Sequence, residues 1–332
     1  MTGRVDVQWG RTCVVGGAGF IGSHVVDRLL ALTASDLVVV FDNFSSGHEW
    51  HLGDHSDDPR LRVVRGDVVD LDDLRAAMDG CQTIVHLASN PDIARAATEP
   101  AVDFDAGTVL THRVLEAMRL SGANRIVYAS GSGIYGDLGE LEVVEDHGPL
   151  QPISTYGASK LAGEAMISAY CHMFGLTAVV LRFGNVVGAR QTHGVGFDFV
   201  RHLRRDPRRL RILGDGSQSK SYVHVSDVVE AIFLVTARAP RPFAAYNVAT
   251  GDYVTVAEIA RLAVEVLGLD PETTKLEFTG GERGWKGDVP IVRLNTDRIR
   301  RLGWHNTMSS REALRTSMES MRRELSSARR AG

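Results

Sequence analysis

Short apolar runs at positions 12–15, 37–42, 61–67, 83–89, 125–130 and 177–184 alternate with segments whose apolar residues recur every three or four positions, notably 20–32, 71–78 and 103–122. Runs that lack a polar alternate suit strands covered on both faces, and the segments between them suit amphipathic helices. The rhythm predicts an α/β chain with a doubly wound parallel sheet and right-handed crossovers, ligands sitting at the C-terminal strand ends. Past position 184 the rhythm loosens. A loop is expected at 184–196, helices at 197–205, 226–238 (capped by Ser226), 256–268 and 309–325, and strands near 211 and at 244–250. The expected division is residues 1–184 as the sheet domain and 185–332 mainly as a smaller mixed α/β cap, with segments such as 215–250 returning to the sheet domain.

The junction after the first run carries the first chemistry. Gly16, Gly19 and Gly22 allow a tight turn, and the helix entered through Phe20 and Ile21 offers free amides and a positive dipole end to a pyrophosphate. The second run ends in Asp42, 20 residues after Gly22. A carboxylate there accepts from both adenosine ribose hydroxyls and repels a 2′-phosphate, so the chain reads as Rossmann-type and the cofactor as NAD. The polar stretch with Asn43, Ser45, Ser46 and Gly47 suits a loop around adenosine. Asp67 and Val68 are expected at the adenine edge, and Leu87, Ala88 and Ser89 under the rest of the dinucleotide, with Asn90 just beyond on the substrate side.

Composition narrows the class. Among 332 residues, 44% are hydrophobic and 23% charged, as in globular proteins. No apolar run reaches membrane length, the N-terminus lacks the apolar core of an export signal, and the cytoplasm is the expected location. A net charge of −4 argues against a nucleic-acid partner, and the basic run at 201–211 reads as a solvated helix face. Cys13, Cys81 and Cys171 fall in apolar contexts, as buried small hydrophobes rather than disulfide or metal ligands. No metal site is expected.

Tyr156 and Lys160 stand four apart on a helix expected to begin near Ser154, so both project from one face. An ammonium beneath a phenol favours the phenolate and makes a general base. With this pair in place, GGAGFIG, DNFSSG, HLA, YxxxK and LRFGNVVG, in this order, resemble the extended short-chain dehydrogenase/reductases of the NAD-dependent nucleotide-sugar epimerase/dehydratase group. The resemblance covers positions 12 to about 304. It implies a firmly held NAD, a nucleotide sugar under the cap, and Tyr156 and Lys160 as catalytic base and its support. It also implies Asn185, Val195, Lys220 and Tyr222 as substrate contacts, Asp288 on the nucleoside ribose, and Arg283 or Arg190 in place of an arginine absent from its usual spacing. Relatives commonly form homodimers through two helices, here 104–120 and 156–174.

Two departures stand out. Where relatives carry a catalytic serine or threonine, this chain has Gly131; Ser130 and Ser132 flank it, and Ser132 is the favoured replacement. Where relatives carry an asparagine, it has Gly107, leaving a gap that a water would fill. The acidic pair that dehydratases place just after the catalytic threonine is here Ser132 and Gly133, so 4-epimerisation of a UDP-sugar is the expected reaction. A dehydratase, a decarboxylase or a non-catalytic NAD-binding sensor are the alternatives. The sugar stays open. Arg190 and His193 would suit UDP-glucuronate, UDP-glucose fits equally, and Val292, standing where some relatives have a bulky tyrosine, would admit an N-acetylated sugar.

Overall fold

The computed structural model describes residues 9–33 and 35–327. The expectation of no export signal rests largely on residues 1–8, which lie outside the described residues. The first half of the chain forms β1 (Gly10–Val15), α1 (Phe20–Leu30), β2 (Ser35–Asp42), β3 (Leu61–Arg65), α2 (Leu71–Met78) and β4 (Thr83–His86). Then α3 (Ala101–Asp103) passes through a wide π turn (Phe104–Val109) into α4 (Leu110–Ser121), and β5 (Arg125–Gly131) follows. Next come β6 (Glu142–Val143), α5 (Thr155–Phe174), β7 (Thr177–Phe183), β8 (Asn185–Val187), α6 (Val195–Arg205) and β9 (Arg209–Ile212). They lead to β10 (Ser219–Lys220), β11 (Tyr222–His224), α7 (Val225–Arg238), β12 (Phe243–Val248), β13 (Val254–Thr255) and α8 (Val256–Val266). The chain closes with β14 (Lys275–Phe278), β15 (Arg293–Leu294), α9 (Asp297–Arg301) and α10 (Ser310–Ser327).

Seven parallel strands make the central sheet in the order β12-β7-β5-β4-β1-β2-β3. Successive side chains of each run point to opposite faces. Cys13, Val15, Ile84, Ile126 and Val180 pack beneath α2, α4 and α5, while Val14, Val38, Val85, Val127 and Leu181 pack beneath α1 and α7. A third apolar cluster, built on Phe199, Leu203, Ile259, Leu262, Leu314 and Met318, joins α6, α8 and α10 into the cap. From β1 the chain runs outward to β3, then crosses back to β4 and continues the other way. The crevice at this reversal of strand order lies between the ends of β1 and β4, where doubly wound sheets bind ligands. No helix among the described residues is long and apolar enough to cross a membrane.

Several boundaries differ from expectation. β3 stops at Arg65, and Asp67 lies in the loop beyond it, accepting from Val69 N (3.1 Å). Residues 185–187, expected as loop, pair with β11. α7 opens one turn position early: its cap is His224, whose Nδ1 accepts from Ser226 N (3.3 Å), so Ser226 sits inside the helix. The helix expected over 104–120 is continuous, widened to a π turn over its first six residues. Gly107 in that turn lies against α5: a Cβ there would lie 2.4 Å from the Ser159 hydroxyl. The gap left by the missing asparagine is therefore filled by Ser159, not by water. The three cysteines are free and buried, as expected.

Candidate active site

The residues around the crevice fit NAD. α1 begins at Gly19 with no capping side chain and no acid in its first turn, so its first amides are free for a pyrophosphate. The turn leaves no room for substitution. A Cβ on Gly22 would meet Gly16 O at 2.2 Å, and one on Gly16, itself at φ +83°, would meet Ala88 N at 2.6 Å. That contact seats the first turn on the end of β4. Asp42 is aimed by two amides: Ala18 N donates to Oδ2 (2.9 Å) and Phe44 N to Oδ1 (2.8 Å), leaving a lone pair on each oxygen for ribose hydroxyls. Asn43 accepts from Ser45 N (3.0 Å) and donates to Asp67 Oδ2 (3.2 Å), which folds the adenosine loop toward Asp67. Ser45 and Ser46 are exposed, Gly47 is buried against Ala18, and Val68 is partly buried. Phe20 and Ile21, at the start of α1, are partly buried, as are Leu87, Ala88 and Ser89 after β4.

Tyr156 and Lys160 come together on the first turns of α5, whose cap is Ser154, its Oγ accepting from Gly157 N (3.1 Å). Lys160 Nζ donates to Ala129 O (2.8 Å) and lies 5.6 Å from the centre of the Tyr156 ring. Burial drives both groups toward their neutral forms. It pushes the phenol up to about 12, against the nearby Ser89 hydroxyl, which lowers it. It pulls the ammonium down to about 8, against Glu164 and Asp103, which raise it. The pair is thus poised so that a cation or hydrogen-bond donor near the phenol favours the phenolate.

The two flanking serines diverge. Ser130 is buried and donates to Glu164 Oε1 (2.5 Å). That carboxylate is itself gripped by Arg182, with Nη2 to Oε2 at 2.7 Å. Ser130 therefore belongs to a structural network, contrary to the expectation that it serves the substrate. Ser132 opens a 3₁₀ turn (Ser132–Tyr135) just past the strand, partly exposed, while Gly131 leaves open space where a side chain would project. Two residues that sequence reasoning passed over close the same region. Asp103 is buried, with Asn90 Nδ2 donating to Oδ1 (2.8 Å) and Thr155 Oγ1 to Oδ2 (2.7 Å). A polar residue inside an apolar helical repeat was the available signal for Asp103, and Glu164, one turn after Lys160, was the one for the ion pair.

At the cap, Lys220 Nζ meets Asp288 Oδ1 (2.6 Å), and Gly284 N donates to Oδ2 (3.2 Å). Arg283 braces this loop through Asp288 O and Asp137 Oδ2. Asn185 is exposed with no side-chain hydrogen bond, and Val195 starts α6 against the cap core. Two expected substrate contacts are engaged within the protein. Tyr222 is buried in the cap cluster. Arg190, with φ at +63°, turns to α1 and pairs with Asp27 (2.8 Å), a charged partner that competes with any substrate carboxylate. Among the described residues no group of His, Cys, Asp and Glu is placed to hold a metal ion.

Fold and cradle together define a Rossmann-type NAD-binding protein. More narrowly, the chain belongs to the NAD dependent epimerase/dehydratase family, whose sequence profile matches residues 12–249. It is 34% identical over 323 residues to a UDP-glucose 4-epimerase of Mycolicibacterium smegmatis, spanning 94% of this chain and 98% of that one. A crystal structure of a UDP-galactose 4-epimerase superposes with a TM-score of 0.84 at 38% identity, covering 95% of this chain and 99% of its own. MoeE5, solved with UDP-glucuronic acid and NAD, superposes at 0.82 with 31% identity, covering 95% of this chain and all (100%) of its own.

Proposed function

We propose that the protein interconverts the C4 epimers of a UDP-hexose, UDP-glucose and UDP-galactose, with Tyr156 as the base. The observation that carries this reading is the pair of a partly buried Tyr156 and a buried Lys160 at the end of the NAD crevice, with no free carboxylate beside it among the described residues. The two acids that come near are engaged: Asp103 by Asn90 and Thr155, Glu164 by Arg182 and Ser130. A dehydratase needs an acid free to protonate a departing hydroxyl, and an epimerase does not.

NAD, when bound, supplies a hydride acceptor that returns what it takes, so the cycle is redox-neutral. The residues of this chain handle the proton. Tyr156 takes it from the C4 hydroxyl as the C4–H bond breaks and gives it back when the 4-keto sugar is reduced from its other face. Lys160 holds the phenolate by charge, fixed in place by Ala129 O. Lys220, freed from Asp288 by an arriving diphosphate, and Asn185 serve the nucleotide end. With Arg190 drawn off to Asp27, the basic pair expected to meet a hexuronate carboxylate loses its permanent cation, which favours a neutral hexose.

Purified protein incubated with UDP-glucose and no added reductant is expected to form UDP-galactose, read by NMR of the anomeric proton, and UDP-glucuronate is expected to turn over more slowly. Absence of any UDP-hexose epimer from NAD-loaded protein rejects the reading.

We also infer a homodimer through α4 and α5. Phe104, Leu120, Met173 and Phe174 are exposed on or beside these helices, a larger apolar display than single surface residues. Sedimentation is expected to give twice the 36.1 kDa chain mass. A monomer at micromolar concentration rules this out.

A further inference from the structure

The site as described lacks one part that its chemistry calls for, a hydroxyl beside the Tyr156 phenol. β5 does not supply it: Gly131 has no side chain and nothing within 4 Å of where one would begin, and Ser130 is spent on Glu164.

The loop after a different strand presents the group. Ser89, just after β4, has a hydroxyl oxygen buried from solvent and without a hydrogen bond of ordinary geometry. It lies beside the Tyr156 phenol and lowers its pKa by hydrogen bonding. A buried, unpartnered hydroxyl is uncommon in a folded chain, and here a ligand oxygen arriving on the side of Ser89 away from the phenol supplies the missing partner. Its placement is braced from both sides. Asn90, the next residue, donates to Asp103 Oδ1 and to Asp92 O (2.9 Å), while Thr155, the residue before Tyr156, donates to Asp103 Oδ2. Asp103 therefore locks the end of β4 to the start of α5 and holds Ser89 opposite Tyr156.

We propose that Ser89 supplies, from the end of β4, the hydroxyl that works with Tyr156 on the reacting oxygen of the substrate, in place of a side chain at Gly131. This rests on the epimerase reading above. The sugar hydroxyl passes its proton to Ser89 Oγ as Ser89 passes its own to the phenolate. Two O–H bonds break and two form, and the net change is one proton moved from sugar to phenol. The redox balance is the one already given. On the return step the same path runs backward. Asp103 is a positioning residue in this scheme and touches neither substrate nor cofactor.

The test uses full-length, NAD-loaded protein and the variants Ser89→Ala and Ser132→Ala, with retained NAD verified by absorbance. Two quantities are read: kcat on UDP-glucose, and the ionisation of Tyr156 by phenolate difference absorbance against a Tyr156→Phe reference. Ser89→Ala is expected to lower kcat by about 100-fold or more, the usual worth of a positioned proton-transfer group, and to move Tyr156 ionisation to higher pH. Ser132→Ala is expected to leave the Tyr156 ionisation where the parent has it. The proposal is overturned if Ser89→Ala keeps wild-type kcat, if its Tyr156 ionises as in the parent, or if Ser132→Ala shifts that ionisation as far as Ser89→Ala is expected to. Should the parent protein turn over no UDP-hexose, the epimerase reading fails by itself, and the titration alone then decides whether Ser89 acts on Tyr156.

Discussion

Phenylalanine at position 156 is expected to lower kcat on UDP-glucose by about 1,000-fold while leaving KM and NAD content close to the parent's, since a positioned general base contributes roughly 10²–10⁴. The substitution removes one oxygen and keeps the ring. Ser154 still caps α5 and Lys160 still donates to Ala129 O, so the fold has no reason to change. The companion measurement is the pH profile. Burial sets the phenol at about 12 and the ammonium at about 8. Below about pH 8 the lysine carries its charge and favours the phenolate; above it that support is lost. Replacing the charge by Lys160→Met is therefore expected to move the rising limb of kcat to higher pH. Full activity in Tyr156→Phe would remove the phenol from the mechanism.

The largest effect on stability is expected from Arg182→Leu. Arg182 and Glu164 are both nearly excluded from solvent and share three contacts of 2.7–3.2 Å. Arg182 also donates to Tyr135 Oη and Glu145 O (both 2.8 Å). Removing the guanidinium leaves a buried carboxylate whose remaining donor is Ser130, a loss of about 3–5 kcal/mol for an unpaired buried charge. The double replacement Arg182→Leu with Glu164→Leu is expected to recover most of that, because no charge is then stranded. Urea unfolding of the parent and the two variants decides it. A single-variant loss below about 1 kcal/mol would mean the pair is hydrated or mobile. The pair also explains a sequence ambiguity: Ser130 looked free beside Gly131 and is instead the third member of this network.

Motifs whose physics is local were legible before any coordinates. A strand, three glycines and a helix start read as a phosphate cradle because the steric demand, such as a Cβ on Gly22 meeting Gly16 O, arises within seven residues of chain. The position of Asp42, the shared face of Tyr156 and Lys160, and α2 at Leu71–Met78 are set in the same way by strand and helix periods. The breaks at Gly131 and Gly107 were visible too, as departures from a pattern.

What filled those breaks was not visible, because it depends on partners far apart in the chain. Arg190 finds Asp27 across 163 positions, Thr155 finds Asp103 across 52, and Ser130 finds Glu164 across 34. Side chains of similar polarity compete for such partners, and only packing decides which charge or hydroxyl is near enough to win. The sequence by itself therefore determined the sheet, the NAD cradle and the Tyr156 and Lys160 pair, each written in local spacing. The tertiary structure alone decided that Ser159 fills the space at Gly107, that Arg190 pairs with Asp27, and that the Ser89 hydroxyl, just past β4, is buried beside the Tyr156 phenol, since these follow from the approach of separate elements in space.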